Sequence, residues 1–260
     1  MQIEKPAAGG RMLARHDGQV VLVNGAIPGE TVTVHVTRVA KGVIFADAVR
    51  VEIPSADRRE PFTDPACGGT AYAYIDYPRQ LAIKAEVITD GLRRIGRLAL
   101  PPVEVRGSRP DGYRMRARVH RVGHRVGFFR EGSHYVCSAR ATRQLLDSTS
   151  DVLDALSARL ETAGASGVRE IEISENIDAS QRALHLESPD PLPGGLADAL
   201  AGFDGVTGIM TTAPAEPRQA PDTRLLAGDP YVFDELSVGG TGDAARRVRM
   251  RRHVQSFFQG

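Results

Sequence analysis

The chain has 260 residues, 42% of them hydrophobic and 25% charged, a balance that suits one or two globular domains and excludes a disordered polyelectrolyte. No apolar run approaches the roughly 18 residues of a membrane span, and the N-terminus lacks the apolar core of a secretory signal; a cytoplasmic monomer with no membrane partner is expected. Two cysteines, Cys67 and Cys137, make no disulfide framework, and a net charge of +1 excludes a polycation while leaving room for local basic stripes.

In chain order, the first 55 residues read as short strands broken by turns. Gln19–Val23 is β-rich and runs into Asn24-Gly25; Pro28-Gly29-Glu30 is a second turn; Thr31–Val36 alternates polar and apolar with period two. About five short strands in so few residues point to a small closed barrel, since closure satisfies edges that an open sheet would expose. A linker rich in Pro, Asp and Arg follows, ending in Cys67-Gly68-Gly69. The spacing then predicts a helix over 77–95, with Leu81, Lys84-Ala85, Ile88, Leu92 and Ile95 on one side.

From Tyr113 to Phe129 the pattern predicts a hairpin turning at Gly123-His124. Every even position from 114 to 120 is basic, so Arg114, Arg116, Arg118 and His120 share one face of a strand and Met115, Ala117 and Val119 the other. A helix over 144–160, strands at 168–173, 183–186, 206–210 and 229–237, and a short helix at 196–200 complete an α+β domain. Arginines recur at Arg246, Arg247, Arg249, Arg251 and Arg252, while acids gather at Glu170, Glu172, Glu175 and Asp178.

Guanidinium groups aligned on one sheet face repel one another unless a polyanion or acids sit opposite. Phosphates accept their bidentate bonds, and the nearby Tyr113, Phe128, Phe129 and Tyr135 suit unstacked RNA bases. Arg114, Arg116, Arg118 and Arg130 are therefore candidate RNA contacts, with a ladder of salt bridges as the alternative reading. Gly239–Gly242 has no phosphate-loop spacing and reads as a turn. Cys67, Cys137, His120, His124 and His134 match no standard ligand spacing, so no metal site is expected, and Cys137 lacks the neighbours of a catalytic thiolate.

Taken together, these segments resemble the TrmA/RumA-type RNA 5-methyluridine methyltransferases. The stretch from Gly10 through Asp17-Gly18-Gln19 to Pro28-Gly29-Glu30 is similar to the TRAM domain, a small RNA-binding β-barrel. Pro54-Ser55 with Arg58-Arg59 resembles the exit from it. Cys67-Gly68-Gly69 with Tyr77–Leu81 and Lys84 resembles the segment around an iron–sulfur site. Tyr113–Arg116 and Val126–Arg130 with Gly132-Ser133 resemble the central domain. Phe257-Phe258-Gln259 resembles the opening of the catalytic domain.

The resemblance implies a multi-domain chain. It would hold a TRAM barrel (1–55), a linker and helix (56–100), a central α+β RNA-binding domain (101–245) and the first residues of a class I, Rossmann-like methyltransferase domain (246–260), cut short. It implies a structured tRNA or rRNA partner and S-adenosylmethionine as cofactor, contacted by Gln259, with Phe257 and Phe258 beside a flipped base. The family's chemistry adds a cysteine thiolate to C6 of uracil, methylates C5 and removes the C5 proton with a base. Those groups are expected beyond Gly260, so the chain itself is expected to be inactive; an RNA-binding adaptor or chaperone is the alternative. The departures from the pattern are at the cluster. Pro61, Thr70 and Thr142 stand near cysteine positions, and one thiolate cannot hold four irons, so no iron–sulfur cluster is expected.

Overall fold

The computed structural model describes residues 1–213, 222–239 and 246–256. The chain forms two compact units, Met1–Pro110 and Asp111–Gly260. Among the described residues no helix is long and apolar enough to cross a membrane.

The first unit is a five-stranded sheet of β1 (Ile3–Pro6), β2 (Met12–His16), β3 (Gln19–Asn24), β4 (Thr31–Ala40) and β5 (Val43–Ile53), in the order β1-β2-β3-β5-β4. A bridge between Gln2 and Thr31 joins the two outer strands and closes the expected barrel. Inside lie Ile3, Met12, Ala14, Val21, Val23 and Val32, the inward half of each alternating strand.

Glu30, expected only as a turn residue, is fully buried. It accepts hydrogen bonds from the backbone N–H of Ile27 (2.9 Å) and Ser55 (3.1 Å), and from Nε and Nη2 of Arg58 at 2.6 Å each. Burial pushes its carboxyl up, but Arg58 and the two backbone donors outweigh that and leave the pKa below its ordinary value. Arg58 also lies over the Tyr74 ring, so the pair ties the turn to the chain leaving the barrel.

That tie explains why the boundary expected near residue 55 does not separate two bodies. Tyr74, Ile75 and Ile83 complete the barrel core, and the segment up to Pro110 belongs to the same unit. Helix α1 (Tyr77–Arg94) forms where predicted, with Pro78 in its first turn and Arg93 and Arg94 in its last. The structure shows which side of it is covered. Ile83 is the buried residue, whereas Ile88 is 45% exposed and Ile95 83% exposed. Periodicity showed several apolar residues but not which stripe the barrel would cover.

The second unit is built on a seven-stranded sheet. It contains β6 (Arg116–Val122), β7 (Arg125–Phe129), β8 (Val136–Ser138), β9 (Glu170–Glu175), β10 (Arg182–Glu187), β11 (Gly208–Ala213) and β12 (Asp222–Gly228), in the order β12-β11-β10-β9-β6-β7-β8. The short α2 (Ala139–Thr142), then α3 (Asp147–Thr162) and α4 (Leu196–Leu200), accompany it. Leu153, Leu156 and Leu160 of α3 share a core with Val119, Ile171, Ile173, Leu184 and Leu186 of the sheet. Each such fully buried side chain contributes about 1.5–3 kcal/mol.

Gly127 on β7 permits a close approach: a Cβ there would stand 1.8 Å from the carbonyl oxygen of Cys137. Only glycine fits, which gives the Val126-Gly127-Phe128 stretch a packing reason.

The segment from 246 departs from the expectation of a third, Rossmann-like domain. β14 (Arg246–His253) pairs antiparallel along the whole of β13 (Tyr231–Val238) as a two-stranded ribbon of the second unit. Phe257, Phe258 and Gln259 lie outside the described residues, as does the glycine loop from Gly240 to Gly242.

Candidate nucleic-acid interface

The sheet of the second unit has an apolar face under α3 and a charged face opposite. Pairing of β6 with β9 sets Arg118 across from Glu172 and His120 across from Glu170; pairing of β9 with β10 sets Glu172 across from His185 and Glu170 across from Glu187. Arg118 meets Glu172 at 2.8 Å, Glu170 at 3.3 Å and Glu187 at 3.6 Å, and Arg116 reaches Glu172 at 3.8 Å. Arg116 also donates to the carbonyl oxygen of Ser256.

The arginine face expected on β6 therefore exists for Arg116 and Arg118, and acids answer it. Arg114 is outside the strand: its backbone N–H bonds to Gln144 and its guanidinium lies over Phe128, itself a core residue. Arg130 is exposed at the end of β7. Phe129 stacks on His120 with ring centroids 3.6 Å apart. Burial lowers the pKa of His120 and Glu170 opposes the shift.

His185, 2% exposed, lies at the centre of the charged face. Its Nε2 is 2.7 Å from the Thr212 hydroxyl and 3.3 Å from the Gln255 amide. Its Nδ1 lies 3.6 Å from Glu187 and 3.8 Å from Glu172 without a hydrogen bond. Burial holds its pKa below the ordinary value, partly offset by Glu172.

The β13–β14 ribbon also has two faces. One docks onto the sheet, with Val232 and Val254 packed against Ala183 and Met210. Asp234, 2% exposed, accepts from Nε of Arg252 at 2.9 Å and from the backbone N–H of Ile177 at 2.7 Å; Arg252 donates on to the carbonyl of Glu175 at 2.7 Å. Arg252 is thus an anchor rather than part of the exposed stripe.

The other face alternates out of register with the first. Arg247, Arg249, Arg251 and His253 stand across from Ser237, Glu235, Phe233 and Tyr231. The three arginines are exposed. Arg249 lies 4.1 Å over the Phe233 ring and Arg251 4.9 Å over Tyr231, while His253 meets Tyr231 edge-on. Among the described residues no ion pair holds Arg247, Arg249 or Arg251, and Glu235 is the one acid on this face. The sequence shows the arginine stripe at 246–252 as a candidate for polyanion binding but not this surface, because 229–237 and 246–252 read as separate segments. The period-two aromatics Tyr231 and Phe233, set against period-two arginines, were the available signal.

The cluster positions do not suit iron. Both cysteines are buried and neither is a free thiol. Thr70 donates to the carbonyls of Cys67 (2.7 Å) and Asp64 (3.0 Å), and Thr142 donates to Ala139 at 2.7 Å. A buried hydroxyl spent on the carbonyl three residues back is a turn-forming group, not an iron ligand. Nor do the described residues form a cofactor cradle of the Rossmann kind: in the second unit, only β10 and β11 pair in parallel among them.

Residues 2–49 match the TRAM domain family. An RNA methyltransferase of Thermosynechococcus vestitus, itself uncharacterized, is 26% identical over 283 residues, covering all of this chain and 61% of its own length. Another, from Gloeobacter violaceus, is 30% identical over 280 residues, covering 97% of this chain and 59% of its own. The 23S rRNA (uracil(1939)-C(5))-methyltransferase RlmD of Dechloromonas aromatica is 33% identical over 195 residues, covering 70% of this chain and 44% of its own. The crystal structure of Pyrococcus abyssi tRNA (uracil-54, C5)-methyltransferase, solved with S-adenosyl-L-homocysteine, superposes with a TM-score of 0.66 at 20% identity. It covers 97% of this chain and 61% of its own, a likeness of fold. The chain thus spans about three fifths or less of the length of these proteins.

Proposed function

We propose, from the premise that this chain belongs to the TrmA/RumA-type family of RNA uracil-C5 methyltransferases, that its two units are the substrate grip of such an enzyme. The substrate is a uridine in structured tRNA or rRNA, bound in the cytoplasm by a monomer. The observation that carries the reading is the open face of the β13–β14 ribbon. Three exposed arginines without ion-pair partners among the described residues alternate there, two of them lying over aromatic rings. Guanidinium groups so placed offer phosphates a charged rail and bases a stacking plane. The TRAM barrel supplies the second contact.

On this reading the ribbon, more than β6, holds the RNA. Arg118 already meets three carboxylates, so an incoming phosphate must displace ion pairs instead of counterions alone. Of the expected set, Arg130 is exposed at the end of β7 and joins the grip on this reading.

S-adenosylmethionine is the methyl donor of that chemistry, and Gln259, Phe257 and Phe258 keep their roles by resemblance alone. The nucleophile of the reaction is a thiolate, and neither of the two cysteines of this chain is a free thiol. The chain by itself is therefore expected to transfer no methyl group.

Fluorescence anisotropy with a structured, uridine-containing RNA across a salt series tests the grip. Binding that weakens steeply with salt is expected, because phosphate contacts release counterions. Absent or salt-insensitive binding would reject it.

A further inference from the structure

We propose that Glu172, His185 and Glu187 form a binding site for one divalent transition-metal ion, with zinc the best match to the ligand set. The three residues are distant enough in sequence to escape any spacing rule. Strand pairing collects them: Glu172 faces His185 across β9 and β10, and Glu187 follows two residues on, on the same face. Their ligand atoms lie within 4.8 Å of one another.

The state of His185 carries the argument. Thr212 is the nearer neighbour of Nε2, at 2.7 Å, and its hydroxyl stands 3.1 Å from that of Thr223. Nε2 also has the Gln255 amide at 3.3 Å. A metal ion on Nδ1 selects the tautomer in which Nε2–H donates to Thr212 and Thr212 donates on to Thr223.

Nδ1 is buried, has no hydrogen-bond partner among the described residues, and faces one oxygen of Glu187 and one of Glu172. With the proton on Nε2, three acceptors converge there, and a cation at their centre offsets their repulsion and satisfies the buried nitrogen. Metal-bound histidines commonly donate their other ring N–H in this way.

The distances suit a small ion. Zinc bonds of about 2.0–2.2 Å in a tetrahedron set ligand atoms about 3.4 Å apart. Nδ1 stands 3.6 and 3.8 Å from the two oxygens, so each of these needs a contraction of a few tenths of an ångström, and all three ligand atoms already lie within 4.8 Å of one another.

Arg118 bonds the other oxygen of Glu172 at 2.8 Å and is itself held by Glu170. It reaches the facing oxygen of Glu187 only at 3.6 Å, and Arg116 that of Glu172 only at 3.8 Å. Three carboxylates (Glu170, Glu172, Glu187) face two guanidinium groups (Arg116, Arg118), so negative charge remains for the ion. Three protein ligands leave a fourth position for water. Imidazole with carboxylates selects a transition ion over magnesium, which prefers oxygen ligands alone.

The test is isothermal titration of zinc ion into the chelator-treated chain, with cobalt(II) as a visible-absorption probe and circular dichroism to verify folding. One equivalent per chain is expected. His185→Ala should abolish uptake. Because His185 is buried, Glu187→Gln at the partly exposed rim is the safer variant. It should weaken binding by at least the roughly 10–100-fold that loss of an outer hydrogen-bond partner costs. Thr212→Val should weaken it within that range. No saturable uptake by the folded chain, or uptake unchanged in folded Glu187→Gln, would overturn the proposal. Neither readout involves RNA or methyl transfer, so the outcome is independent of the proposed function.

Discussion

Two arginine stripes of the same unit look alike in sequence and differ in what faces them. On β6, Arg116 and Arg118 lie beside a strand that carries Glu170 and Glu172 at matching positions, and their charge is neutralised within the sheet. On β14, Arg247, Arg249 and Arg251 lie beside a strand that offers Ser237, Glu235 and Phe233. One stripe is closed by its neighbours, the other left open. Spacing within a strand tells where a row of charge points. The register of the next strand decides whether that charge is available to a partner.

The comparison breaks most sharply at the anchor of the open stripe. Asp234→Ala removes the buried partner of Arg252 without touching an exposed arginine. Breaking such a pair costs about 3–5 kcal/mol, and the ribbon should lose both its protection in hydrogen exchange and its RNA affinity. Retention of full affinity would mean that the ribbon does not hold the RNA.

Replacing Arg247, Arg249 and Arg251 together by alanine should leave the melting temperature nearly unchanged. If each solvated contact supplies up to about 1 kcal/mol, affinity falls by as much as about 100-fold. The salt slope should drop by about 2–3. An unchanged slope would remove these side chains from the phosphate contacts.

Gly127→Ala supplies the control for stability. The added methyl meets the Cys137 backbone, and overpacking of this kind costs about 1–3 kcal/mol. Thermal unfolding should show the loss. RNA affinity of the fraction still folded should not change, since neither stripe is altered.

The smallest effect belongs to the closed stripe. Arg116→Ala with Arg118→Ala opens partly exposed ion pairs worth about 0–1 kcal/mol each. RNA affinity should stay within a factor of about three. A loss matching that of the ribbon variant would show that phosphate displaces the carboxylates, and would erase the distinction between the stripes.

The sequence by itself determined what depends on near neighbours. Turn residues and period two marked the barrel strands. Helical spacing marked α1, and the alternation of basic and apolar residues put Arg116, Arg118 and His120 on one side of β6. Threonines at cluster positions were legible as a departure, because the side-chain chemistry differs whatever the fold.

Only the tertiary structure decided what depends on register and docking between segments far apart. It placed Glu172 against both Arg118 and His185, joined 231–238 to 246–253 as a ribbon, buried Arg252 and left Arg249 and Arg251 open. It also turned Ile83, not Ile88 or Ile95, toward the barrel. The physical reason is range. Local pattern fixes the direction of a side chain relative to its own backbone, while its electrostatic partners and its burial are set by strands and helices that approach through packing.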